Sequence, residues 1–477
     1  MITSISASAV REYFRIALIS SAIIIGILVI LGFPVVSSFL AILLLAICFF
    51  PTYDYLKRGG TGIPAMPVLF GAYGLQFALP TFIGDRVLVL AFSSIEIPES
   101  LLISALLIAI LGASTLLLVC SSSIVLGAVD KLPRLSLQLD PFKAMVFCIA
   151  FGAIALAISP FTQQLSEATQ SQYSALFRVL HNQLFVVIAI LGWLVAFTRK
   201  VGVKLVWYGV IAIAVIDGAS SSFLEATFAP IGIMFLCNWI YFQKVNRLLL
   251  VALVLAFLFL NPVKGQVRER LWSSGEGDSL SKVQKAQVWV EEATDFWADV
   301  IQKPSERGEA LAELIKRTNL IDLLAHVYEQ TPDYTPYLYG ESYSFFVYSM
   351  IPRVIWPEKP EASANRLLAV KYGLTTSEGA EISTFGISLV GEGYANFGLF
   401  GVVLIMAVLG LTLLAMMRLL GSSASGPGGI AIFLSFFIYF LNGLGTSAEI
   451  LFGNVFQSMI ASYILLYWAK AAERTTR

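Results

Sequence analysis

Charge is scarce in this chain. Aspartate, glutamate, lysine and arginine make up 13% of its 477 residues, about half the share of an ordinary soluble domain. The 31 basic and 31 acidic residues cancel, which excludes a general nucleic-acid binder. Histidine is nearly absent. His181 and His326 stand far apart, without the spacing of a metal-ligand pair. The four cysteines, Cys48, Cys120, Cys148 and Cys237, each lie inside an apolar run and form no C-x-x-C, so they read as small core residues. There is no D-x-D to hold a divalent metal and no glycine-rich loop to cradle a nucleotide.

What the chain does have is oil. Hydrophobic residues make up 57% of it, which predicts an all-α polytopic membrane protein. About 20 apolar residues cross a bilayer as helix. Twelve candidate spans follow, near 14–31, 35–50, 63–83, 100–127, 143–160, 180–197, 203–217, 224–242, 247–262, 397–418, 428–444 and 450–469. The second, seventh and ninth are short. The first follows Arg11 and Arg15 like a signal peptide, but a second run begins directly after Pro34 with no small-residue cleavage site between them.

Basic residues orient the spans. With a cytoplasmic N-terminus, the inner segments carry sixteen: Arg11, Arg15, Lys57, Arg58, Lys131, Arg134, Lys143, Arg199, Lys200, Lys204, Lys244, Arg247, Arg418, Lys470, Arg474 and Arg477. The short outer loops carry two, Arg86 and Arg178. This bias predicts that both termini are cytoplasmic. The other thirteen fall between Lys264 and Lys371, in a long loop that parity places outside. The predicted organisation is a bundle of nine spans over 1–262, an extracytoplasmic loop domain over 263–396, and three closing spans over 397–477.

The loop domain opens in a helical register. Val283, Val288, Val290, Phe296, Trp297, Val300 and Ile301 recur at helical intervals, as do Leu311, Leu314, Ile315, Leu320, Leu323 and Leu324 beyond Pro304. Such helices fit either the headgroup plane or a small cap packed on itself. The following stretch, TPDYTPYLYGESYSFFVYSMIPRVIWPEKP, is crowded with proline and tyrosine and reads as an ordered irregular loop. Within it Arg353 and Lys359 flank Trp356. Fixed cations beside an indole suit a phosphate attached to a sugar. Headgroup anchoring fits the same residues.

Three stretches carry a family resemblance: RTNLIDLL from Arg317, YGESYSFFVYSMIPRVIWPEKP from Tyr339, and STFGISLVGEGYANFGLFG from Ser383. Together they resemble the oligosaccharide repeat-unit polymerases, the Wzy-type O-antigen polymerases of bacterial envelopes. The resemblance covers about a quarter of the chain and rests on the I-P-R-x-x-W-P-x-K-P and G-E-x-Y-x-N-F-G pair. It implies a GT-C-like glycosyltransferase of the bacterial inner membrane that elongates undecaprenyl-pyrophosphate-linked oligosaccharide among membrane lipid. It also implies partnership with a repeat-unit flippase and a chain-length regulator, and no cofactor. The chain departs from the family at DGASSSFLEATFAP, where serines and Glu225 stand in place of an arginine, so no catalytic arginine is carried over to that turn.

The implied reaction is displacement at an anomeric carbon. It needs cations to hold a departing pyrophosphate and a carboxylate to take the acceptor's proton. Arg353 is the first candidate cation, followed by Arg268 and Arg270 in QVRERLW and then Arg317. The pair after the ninth span also fits headgroup anchoring, and Arg317 fits an ion pair with Glu313 four residues before it. Glu392 is the first candidate base, at the mouth of a span and flanked by glycines that admit close backbone approach. It also fits a helix-dipole role. Glu341 is second. Tyr343, Tyr394, Asn396, Trp356 and Lys359 complete the candidate substrate site. Asp217 and Glu225 are rim or intramembrane carboxylates. A lipid-linked glycan ligase and a flippase or transporter of lipid-linked oligosaccharide remain alternative readings.

Overall fold

The computed structural model describes residues 32–82, 86–162, 167–221, 223–243, 247–273, 276–303, 319–351, 356, 358, 363–382 and 386–471. The candidate span at 14–31 lies outside them. The longer helices are α1 (Val35–Lys57), α2 (Ala65–Phe77), α3 (Glu99–Ser121), α4 (Pro141–Thr162), α5 (Glu167–Thr198), α6 (Val201–Ser220), α7 (Leu224–Phe242) and α8 (Arg247–Leu260). They continue with α9 (Lys282–Gln302), α10 (Ile321–Gln330), α11 (Glu341–Met350), α12 (Ala364–Lys371), α13 (Leu389–Leu419), α14 (Gly426–Asn442) and α15 (Ala448–Tyr467). One small antiparallel ribbon, β1 (Val87–Val89) with β2 (Ser94–Glu96), interrupts the helices.

Among the described residues, ten helices are long and apolar enough to cross a membrane. The protein is an all-α, multi-pass membrane protein. Many of its outward-facing side chains are apolar, such as Leu118, Phe142, Ile149, Leu205 and Phe400, as lipid contact allows and water does not. The ninth candidate span differs from expectation. Leu248–Leu260 joins Lys264–Trp272 through a 67° bend, because Asn261-Pro262 interrupts the apolar run. The second span is not short. α1 continues to Lys57 past Pro51, and an Arg58–Asp54 ion pair at 2.9 Å supports its last turn.

The chain forms two compact units. The first comprises Met1–Arg134, Thr318–Ser422 and Tyr439–Gln457. At its centre α3 packs on α13, with α1, α2 and α10 also against α3. Small residues let the backbones approach. A Cβ on Gly112 would lie 2.8 Å from the Tyr73 hydroxyl, and one on Gly410 would lie 3.0 Å from Val119. The Tyr73 hydroxyl itself donates to the Ala109 carbonyl at 2.8 Å. Beside this core, Arg86 makes a buried ion pair with Asp322 at 2.8 Å and also donates to the Pro80 carbonyl.

The second unit comprises Leu135–Arg317, Ser423–Ile438 and Ser458–Arg477. Here α5 packs on α4, α6 and α7. The Trp207 indole donates to the Ile188 carbonyl at 2.8 Å, and Asn182 and Gln183 donate to Ser458 and Ser462, each at 3.0 Å. These polar pairs satisfy groups that lipid could not. The first loop-domain helix appears as α9, started by a capping box between Ser281 and Gln284. It packs on α6 and α8. Val288, Trp289 and Ala293 sit in a core with Ala219, Leu224, Val263, Val267 and Leu271.

Candidate functional site

Four helix starts converge in the first unit, and the candidate residues gather around them. The irregular loop expected around Tyr339–Met350 contains α11. Its prolines lie outside 341–350, so nothing in ESYSFFVYSM blocks a helix. The tenth span begins eight residues earlier than the expected 397, with α13 starting at Leu389. Ser388 caps it, accepting from the Gly391 amide at 3.0 Å. The helix then breaks at Phe397 (φ −143°, ψ 22°) and Gly398 (φ 61°, ψ −143°) before continuing. Gly398 occupies a left-handed conformation that glycine adopts at low cost.

Glu392 is fully enclosed on this first segment of α13. One carboxylate oxygen accepts the Ser342 hydroxyl at 2.7 Å, and the other accepts the Ala448 amide at 2.6 Å, at the start of α15. Asn396, also enclosed, donates to the Ser342 oxygen and to the Glu392 carbonyl, each at 2.8 Å. Its carboxamide oxygen accepts the Gly340 amide at 2.9 Å. Leu338 and Tyr339 amides donate to the Ala395 and Asn396 carbonyls. A parallel set joins the start of α12 to α15. Glu449 accepts the Ala364 amide at 2.8 Å, and Asn365 accepts the Ser447 amide at 2.9 Å. Each acceptor meets an amide that its helix leaves unpaired, at the positive end of the helix dipole.

The glycines beside Glu392 therefore serve packing. Gly393 lies against the backbone of Gly401 across the break, and Gly391 lies against Ser388. Glu341 stands differently. It is half-exposed, with its carboxylate 2.6 Å from the Lys371 ammonium. Tyr343 packs near Phe397, with ring centroids 6.4 Å apart. Burial, with the Glu392 carboxylate adding to it, pushes the Tyr343 hydroxyl above its ordinary range, so it stays protonated. Tyr394 is buried and begins a run of rings. Its centroid is 5.6 Å from Tyr328 and 6.5 Å from Tyr337, and Tyr337 is 6.2 Å from Tyr339, which is 75% exposed. Trp356 packs edge-on against Tyr348 at 5.9 Å.

Arg353, Lys359 and Arg317 lie outside the described residues. Arg268 and Arg270 belong to the second unit. The Arg268 guanidinium sits between aromatic faces, 4.8 Å from Phe223 and 5.1 Å from Trp272. Arg270 pairs with Glu291 at 3.2 Å and Glu292 at 2.9 Å, tying its turn to α9. His181 stands 3.9 Å from Asp217, which also pairs with Lys282. His326 is buried, its Nε2 2.9 Å from the Tyr372 carbonyl oxygen. All four cysteines are buried and unbridged.

Sequence reasoning passed over Ser342, Asn365, Glu449 and the tyrosines Tyr328 and Tyr337. One signal was readable. Ser447-Ala448-Glu449 directly before an apolar run is a helix start, with an amide to satisfy and a carboxylate in the first turn.

No curated protein and no solved structure matches the chain. A family model does, across residues 109–474, and its description is "Domain of unknown function (DUF8712)". The match spans well over half of the sequence, and the chain belongs to that DUF8712 family.

Proposed function

We propose that this protein is a metal-independent glycosyltransferase that polymerises polyprenyl-pyrophosphate-linked repeat units on the outer face of a bacterial inner membrane. One observation carries this reading beyond the sequence resemblance. The Tyr339 and Gly391 motifs, which bear that resemblance, lock into a single buried network through Ser342, Glu392 and Asn396. From that network the tyrosine run leads outward to exposed Tyr339. Aromatic faces stack on the apolar faces of sugar rings, and a chain of them suits a glycan laid along the surface.

In this reading the acceptor hydroxyl attacks the anomeric carbon of the donor glycan. The new glycosidic C–O bond forms as the bond to pyrophosphate breaks, and the pyrophosphate departs on its lipid with the negative charge. Arg353 and Lys359 are the cations that hold that charge in this reading. Enclosure of Glu392 on both oxygens turns it from base to positioning residue. It fixes Ser342 and so the register of α11. The acceptor's proton goes to Glu341, the half-exposed carboxylate at the start of the same helix. Residues 263–396 form the extracytoplasmic part of a GT-C-like architecture, and both termini are cytoplasmic.

A reconstituted transfer assay with labelled lipid-linked repeat unit tests this. A ladder of products on the polyprenyl carrier, formed without metal or sugar nucleotide, is the expected result. Glycan on a different acceptor would make the protein a ligase. Repeat unit that stays on the cytoplasmic face of cells lacking the protein would make it a transporter.

A further inference from the structure

α9 carries two apolar stripes, and neighbouring helices cover only one of them. Val288, Trp289, Ala293 and Val300 are buried, where the helix packs on α6 and α8. At about 3.6 residues per turn, Val283, Val290, Trp297 and Ile301 share another side of the helix. Val283 and Val290 are each 55% exposed, and Ile301 is 69% exposed. Glu291, Asp295 and Asp299 occupy a third side, also exposed. The hydrophobic arc of α9 is therefore wider than its packing uses, and water is a poor medium for the remainder.

Two indoles fix where α9 lies. Trp289 donates to the Ala219 carbonyl in the last turn of α6, and Trp297 donates to the Phe259 carbonyl in the last turn of α8, each at 3.0 Å. Both acceptors stand at the same end of the bundle, because α7 leaves from the end of α6 and returns to the start of α8. The two tryptophans are about 12 Å apart along the helix. α9 thus runs from one span end to another, across the bundle end rather than away from it.

The exposed stripe is continuous with lipid-facing surface. Trp297 seats on α8, where Val254, Leu255 and Leu258 are exposed apolar residues of the bent ninth span. Phe223 and Trp272 lie at the same end of the bundle, 42% and 50% exposed, with the Arg268 guanidinium between their rings. Aromatic rings beside a cation collect at headgroup level.

We propose that α9 is an interfacial helix, lying in the headgroup plane with Val283, Val290, Trp297 and Ile301 among lipid chains. Its partner is the bilayer itself. The middle of its polar side is acidic, through Glu291, Asp295 and Asp299, so the contact rests on apolar burial and not on anionic headgroups. The placement does not depend on the glycosyltransferase reading.

The test puts nitroxide labels on the full chain in phosphatidylcholine nanodiscs. Val290→Cys and Ile301→Cys report on the stripe, and Glu291→Cys and Asp295→Cys on the polar side. The four native cysteines are buried, and the parent chain taken through the same labelling gives the background. Saturation of the spin signal reads collision with oxygen, which concentrates in lipid, and with a water-soluble nickel chelate. The oxygen-to-nickel ratio is expected to be several-fold higher at 290 and 301 than at 291 and 295. Nickel access at 290 and 301 equal to that at 291 would put the stripe in water and overturn the proposal. Shielding of 290 and 301 from both reagents would overturn it too, since protein would then cover the stripe, either the segment beyond Lys303 or a second copy. Each label replaces an exposed side chain, and the melting temperature checks that the fold is kept. Where one label shifts it, Val283→Cys takes its place. Turnover is not read, so the outcome is independent of the transfer assay.

Discussion

The Glu392 carboxylate accepts the Ala448 amide at 2.6 Å, joining the first segment of α13 to the start of α15 across 56 residues of sequence. Its second oxygen holds Ser342. Glu392→Ala leaves a buried hydroxyl and a buried amide without acceptors, and is expected to cost about 2–4 kcal/mol. Ser342→Ala removes the donor to Glu392 and the acceptor of Asn396 and is expected to cost about 1–3 kcal/mol. Thermal unfolding in detergent reads both. Equal melting temperatures for wild type and Glu392→Ala would show that the network contributes nothing.

Glu341 allows the proposed chemistry to be read apart from stability. Its ion pair with Lys371 is solvent-accessible, with side chains 49% and 35% exposed, so its loss costs little stability. Glu341→Gln is expected to lower elongation by roughly 10²-fold while leaving the melting temperature in place. The rate of product-ladder growth is the measurement. An unchanged rate would remove Glu341 as proton acceptor.

Arg86 and Asp322 form a buried pair, with side chains 9% and 7% exposed. Asn319 also donates to Asp322, at 2.6 Å. Asp322→Ala strands a guanidinium and is expected to cost about 3–5 kcal/mol. Removing both charges in Arg86→Leu with Asp322→Leu is expected to recover much of that loss. A double-mutant cycle on denaturant midpoints would read the coupling.

The α3–α13 contact depends on two glycines. Gly112→Val and Gly410→Val each drive a side chain into an occupied space, beside Tyr73 and Val119 respectively. Each is expected to cost about 1–3 kcal/mol. Gly127→Ala changes an exposed helical glycine with open space around its Cβ and serves as the steric comparison. Yield of monodisperse protein and melting temperature check the order.

Arg270 bridges its turn to α9 through Glu291 and Glu292. Arg270→Glu is expected to destabilise modestly, and Glu292→Arg in the same chain to restore part of the loss. The coupling is about 0.5–1 kcal/mol for a partly exposed pair. Restoration of stability together with full transfer activity would assign Arg270 to architecture rather than to pyrophosphate.

Much of the fold was legible because lipid writes it into composition. The spans at 100–127, 180–197 and 224–242 were readable from apolar length alone, and α9 from the spacing of Val288 and Val300. Less legible were features set by contact. The extension of α1 past Pro51 depends on what the neighbouring segments do. In the candidate site, Glu392 and Asn396 stood out by type and place. Ser342 did not, because a serine acquires its meaning only from the carboxylate it meets 50 residues away.

The sequence by itself determined that this is a helical membrane protein with a long late segment rich in tyrosine and proline. That follows from the transfer free energy of side chains and backbone, which is local and additive. Only the tertiary structure decided that Glu392 is enclosed, that Glu341 remains at the surface, and that the Trp289 and Trp297 indoles reach two span ends. Burial and charge environment arise from residues distant in sequence, and no local pattern encodes them.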